Sequence, residues 1–153
     1  GDLLVQKVYV LLPLFHTLQR DNILIQNRLK AGIHILAGHF HGYTKMLVRE
    51  DISFSQFARN EVRQMRDISI RAVSALLSGD AGQQSWLEQV SQLEQTIDDM
   101  TDRFRREQLL RMRNGTCSDE ACILYSELLT DFERIGDHVL NIAQELTKAQ
   151  TAL

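Results

Sequence analysis

The stretch Glu127-Leu-Leu-Thr-Asp131-Phe-Glu133-Arg-Ile-Gly-Asp137-His138-Val-Leu-Asn141-Ile-Ala-Gln-Glu145-Leu146 sets the pattern for the whole chain. Its apolar residues Leu128, Phe132, Ile135, Val139, Ile142 and Leu146 recur every three or four positions, the period of a helix with one buried face. Glu133, Asp137 and Asn141 form a second stripe at i, i+4 and i+8, which stacks them on one side of the helix beside the apolar seam. Two carboxylates therefore stand one turn apart at the edge of a core.

Moving upstream, the same arrangement recurs. Glu94 and Asp98 flank the apolar Leu93 and Ile97, and Asp102 follows one turn later. The seam of that segment is Trp86, Val90, Leu93, Ile97, Met100 and Phe104, between Ser85 at its start and Asn114-Gly115 at its end. Ser118, followed by Asp119 and Glu120, opens the last helix with acids that suit its N-terminal dipole. Before these, Ser53 or Ser55 can cap a helix running to about Ser78. Its predicted inner face is Phe54, Ala58, Val62, Met65, Ser69, Ala72 and Leu76, and Gly79-Asp80-Ala81-Gly82 supplies the turn.

The first 50 residues carry two more apolar series in helical phase, Val8 to Leu18 and Ile25 to Leu47. Pro13 would kink a helix, and Asp21 or Asn22 can cap a new one, so a break is expected near residue 20. Strand-like alternation is absent. The expected fold is all-α, an antiparallel up-and-down bundle in a single helical domain over residues 1–153. Within it, a three-helix unit over residues 53–147 follows one or two N-terminal helices in residues 1–50.

Composition removes several function classes. The chain of 153 residues, 44% hydrophobic and with the single proline Pro13, can bury one core without staples. Its longest apolar run, Val8 to Phe15, is far too short to cross a bilayer. Residues 1–50 carry a net charge of +3 and the remainder −6. Neither part shows the clustered basic and aromatic side chains of a nucleic-acid footprint. Cys117 and Cys122 are too few for a disulfide framework or a four-ligand zinc site, and reduced thiols in a cytoplasmic setting are expected. His34, His39 and His41 stand near one another, but His39 and His41 are two apart and so point about 200° apart on a helix, which makes a shared metal unexpected.

The paired acids carry the chemistry. Two antiparallel neighbours that each bear an acidic pair beside the seam can bring Glu94, Asp98, Glu133 and Asp137 together. Such an all-oxygen group draws hard or borderline cations, because nearby like charges are costly unless compensated. The same acids at helical spacing also fit solvated ion pairs with Arg103, Arg105 and Arg134, which would contribute little. No Glu-x-x-His ligand motif and no glycine-rich phosphate loop is present, so catalysis is not expected.

Asp131-Phe-Glu133-Arg134-Ile135-Gly136-Asp137-His138, with Asn141-Ile142-Ala143 after it, resembles the signature of the PhoU family, helical regulators of bacterial phosphate uptake. Upstream, Glu61-x-x-x-Met65, the Leu-Leu-Ser-Gly79-Asp80 helix end and Leu93-Glu94-x-x-Ile97-Asp98 follow the order of one PhoU repeat. The resemblance covers residues 53–147. Free-standing PhoU proteins carry two such repeats, whereas a lone repeat is similar to the C-terminal cytoplasmic portion of bacterial sodium/phosphate cotransporter-like proteins. Gly1 in place of an initiator methionine, and a mildly basic start, fit a piece that follows a membrane domain.

That resemblance implies a regulatory domain at the cytoplasmic face of the inner membrane rather than an enzyme. It further implies metal held by Glu94, Asp98, Glu133 and Asp137, with iron, zinc, manganese, magnesium or calcium as candidates. The expected partners are the membrane transporter domain of the same protein, a second copy of the chain, and phosphate or metal; nucleic acid is not among them.

Overall fold

The computed structural model describes residues 52–151, together with His34, Gly38, His41, Gly42 and Lys45. The helices and the break expected within residues 1–50, and the role of their histidines, lie outside the described segment. Contacts divide the chain into the units Gly1–Ser53 and Phe54–Leu153. The second unit consists of three helices, α1 (Gln56–Ser78), α2 (Gln84–Arg113) and α3 (Asp119–Thr151). The all-α bundle expected from the sequence is what forms, and no strand occurs among the described residues.

Serine caps open α1 and α3, whereas α2 begins at Gln84, one residue ahead of the expected Ser85, behind Gln83, which makes no side-chain cap bond. Of the two serines that could open α1, Ser55 does so, its Oγ accepting from the Ala58 N–H at 3.1 Å. At the end of α2, Gly115 takes φ +70°. This lets the Gly115 N–H reach the Met112 carbonyl at 3.1 Å and the Thr116 N–H reach the Arg111 carbonyl at 3.0 Å, the double bond of a Schellman ending. Helix α3 starts with Asp119 and Glu120 in its first turn, and Ser118 Oγ accepts from the Ala121 N–H at 3.2 Å.

All three helices pack on one another. Contacts along α2 and α3 run in opposite directions, since Ile97 meets Gly136 while Arg105, further along α2, meets Thr130, earlier in α3. The same holds for α1 and α2, because Trp86 lies against Gly79 and Ala75 while Arg111 reaches back to Glu61. The core is the predicted one with additions. Met65, Leu76, Val90, Ile97, Leu128 and Phe132 are buried, but Phe54, Val62, Leu93, Met100 and Ile135 from the expected stripes are only half-buried. Their place is shared with Tyr125, Thr101 and Gln108, which are buried and which polarity alone would have put outside.

Two packing details matter for the site. Trp86 donates its indole N–H to the Ala75 carbonyl at 2.9 Å, and it covers Gly79 so closely that a Cβ there would overlap the ring. Gly136 is buried against Ile97, whose Cδ1 and Cγ2 would each lie 3.3 Å from an added Cβ. That missing side chain lets α2 and α3 approach at the level of Asp98 and Asp137.

At the α2–α3 turn, Cys117 and Cys122 are paired as a disulfide, with Cα atoms 6.5 Å apart. The sequence reading expected free thiols. The pairing arises because the Schellman turn folds Cys117 back over the first turn of α3, a proximity that a spacing of five does not reveal.

Candidate metal centre

Glu94 and Asp98 project from successive turns of α2, half-buried, toward Asp137, which projects from the exposed side of α3. One carboxylate oxygen from each of the three lies within 4.8 Å of the others. Two oxygens on opposite sides of a single hard cation, each at about 2.3–2.4 Å, would stand about 4.7 Å apart. The three groups are thus already spaced for one ion.

Burial and the neighbouring carboxylates make Glu94 and Asp98 hold their protons more tightly than usual. Burial, then the neighbouring Asp98, then Asp137 push the Glu94 carboxyl up to about 7. Asp98 is also raised, first by burial and then by Asp137, Glu133 and Asp102, against a hydrogen bond with Glu94 that lowers it. The Oδ1 atom of Asp98 is sealed from solvent and has no hydrogen-bond partner, a costly state for a carboxylate oxygen unless something positive meets it. The donor set therefore fits a metal ion, and it consists only of oxygen, which suits magnesium, calcium or manganese better than zinc.

Glu133, the fourth acid expected at this site, is engaged elsewhere. Its Oε2 accepts from Arg105 Nη2 at 3.2 Å. The same guanidinium donates to Thr130 Oγ1 at 2.9 Å and to Ser126 Oγ at 3.3 Å. So three of the four acids converge and the fourth is one turn away, paired with an arginine. Arg105 was expected only as a surface partner; its position seven residues after Asp98, facing a polar stripe of Ser126, Thr130 and Glu133, was the available signal.

A second polar group lies in the interior, at the opposite end of α1 from Gly79. Glu61 is buried, with Oε1 paired to Arg111 Nη2 at 2.6 Å and Oε2 accepting from Tyr125 at 3.2 Å. The Tyr125 hydroxyl is raised above its usual range by burial and then by the Glu61 charge. Arg111 Nε donates to Gln108 Oε1 at 2.7 Å and the guanidinium stands 5.7 Å from the Tyr125 ring centroid. This network ties all three helices together through side chains buried between them.

An all-α bundle with a carboxylate cluster between two antiparallel helices is the class that this fold and site define. The PhoU domain family matches over residues 59–146, more than half of the chain, and the chain belongs to that family. A stretch of 55 residues is 36% identical to the phosphate-specific transport system accessory protein PhoU homolog 1 of Thermotoga maritima, covering 36% of this chain and 24% of that protein. The chain thus spans about a quarter of the length of that relative. No solved structure matches.

Proposed function

We propose that the chain is a non-enzymatic regulatory domain of phosphate transport that binds a hard divalent cation through Glu94, Asp98 and Asp137. The observation that carries the proposal is the convergence of these three carboxylates, with a buried Asp98 oxygen lacking any partner. Membership of the PhoU family and the Thermotoga maritima relative's role in phosphate-specific transport supply the context. A bound cation would compensate the mutual repulsion of the trio and clamp α2 to α3 where Gly136 brings them together. That would make the rigidity of the bundle, and hence its fit to a partner, depend on metal.

The owner we propose is a sodium-dependent phosphate transporter whose membrane part stands ahead of Gly1, with this domain at the cytoplasmic face of the inner membrane. No helix among the described residues is long and apolar enough to cross a membrane, so the anchoring would come from elsewhere. Elemental analysis of protein purified without chelator tests the metal reading. Metal should be retained by the native chain and lost from Glu94→Gln/Asp137→Asn; equally negligible metal in both would remove it. The transporter reading is tested by the open reading frame upstream of Gly1, where several hydrophobic spans are expected.

A further inference from the structure

Among the described residues, the fourth acid of the sequence motif, Glu133, forms an ion pair, and its partner is Arg105. Along α2 the order is Glu94, Asp98, Arg105, and along the antiparallel α3 it is Asp137, Glu133, Thr130, Ser126. The two ladders pair level by level: the trio at one level, and Arg105 with Glu133, Thr130 and Ser126 at the next. Glu133 lies one turn from Asp137 on the same face of α3 and pairs with Arg105, so it stands between the trio and the guanidinium. Both side chains of the pair are partly open to solvent, Arg105 at 34% and Glu133 at 41%. A pair so exposed is held by little net free energy, and a change in the rotamer of Glu133 is enough to break it.

We propose that Arg105 is a residue that sets the affinity of the carboxylate site by withholding Glu133 from it, with Thr130 and Ser126 fixing the guanidinium in the withholding position. The proposal rests on the reading of Glu94, Asp98 and Asp137 as a cation site. Withholding has a clear physical consequence. With Glu133 on Arg105, an incoming dication meets three carboxylates, the rest of its shell being left to water; with Glu133 released, it meets four. Cation affinity rises with the number of charged oxygen ligands, so the native site is tuned below the affinity that its four acids could reach. The two hydroxyls have a role in this arrangement that a simple surface ion pair does not need. They take two further donors of the arginine fork, one on each terminal nitrogen, and so orient its planar group toward Glu133.

Titration of the full 153-residue chain with Mn²⁺, followed by electron paramagnetic resonance of the free ion, tests this in a double-mutant cycle. Asp137→Asn first establishes the site: if it binds Mn²⁺ as weakly as the native chain, there is no such site, and the proposal falls with the reading beneath it. Given a site, Arg105→Gln should tighten Mn²⁺ binding by about three- to tenfold, the range expected from releasing a partly exposed pair. In the Glu133→Gln background the same arginine substitution should change affinity by less than about twofold, because no ligand remains to be released. An equal gain in both backgrounds would mean that Arg105 acts only by its charge at a distance, and would overturn the proposal. Unchanged or weaker binding in Arg105→Gln would overturn it as well. Unfolding curves for each variant confirm that the partly exposed substitutions leave the bundle intact.

Discussion

Replacing Glu94 by glutamine in metal-free protein should stabilise the bundle at neutral and alkaline pH and do little in acid. Glu94 titrates near 4.5 when unfolded and at about 7 in the folded protein. The folded state therefore holds this proton more tightly, and the sign follows: the stability it contributes is intact below pH 4.5 and is lost as pH rises through about 7. Taken at face value the displacement would correspond to roughly 3 kcal/mol. Glu94 is only half-buried, solvent screens part of the interaction, and the repulsion between Asp98 and Asp137 survives the substitution, so about 1–2 kcal/mol is the expected gain at pH 8. For a chain of this size that is a rise in Tm on the order of 5 °C. Saturating Mn²⁺ must invert the result. At a hundred times Kd the metal stabilises the native chain by about 2.7 kcal/mol, and Glu94→Gln forfeits most of it. The assay is thermal unfolding by circular dichroism at pH 4.5 and pH 8, each with chelator and with Mn²⁺. Equal stabilisation at both pH values in chelator, or a variant that is less stable than native protein without metal, would refute the reasoning about the carboxylate trio.

Three further substitutions probe the frame that holds the site. Gly79→Ala forces the Trp86 ring off its seat and breaks its bond to Ala75; a loss of about 2–3 kcal/mol and a red shift of tryptophan emission are expected, and an unshifted spectrum would contradict the packing. Gly136→Val drives a branched side chain into Ile97, already only 3.3 Å from a bare Cβ, and should cost about 1–3 kcal/mol while weakening Mn²⁺ binding, since α2 and α3 must part. Arg111→Met leaves Glu61 buried without its cation and should cost about 3–5 kcal/mol in urea unfolding; Glu61→Gln/Arg111→Met, which removes both charges, should recover much of that.

The parts of this protein that were legible in its sequence are those governed by period and by local chemistry. The apolar seams of α1, α2 and α3 repeat at 3.6 residues, and the turns between them are marked by Gly79, Gly82, Asn114 and Gly115. The spacing of Glu94 and Asp98, and of Glu133 and Asp137, is equally local, so the two acidic pairs stood out. Spacing within a helix says nothing about the axial offset between helices, and the offset decides which acids meet. The close approach at Gly136 sets Asp137 level with Glu94 and Asp98, and it leaves Glu133 a turn away, level with Arg105. The buried Glu61, Arg111 and Tyr125 were equally hidden, because partners 50 and 64 residues apart carry no signal in any window of sequence. Gly136 therefore matters to this arrangement through the space that it leaves free. It leaves room for Ile97 where Glu94 and Asp98 on α2 meet Asp137 on α3, while Glu133, one turn away, pairs with Arg105.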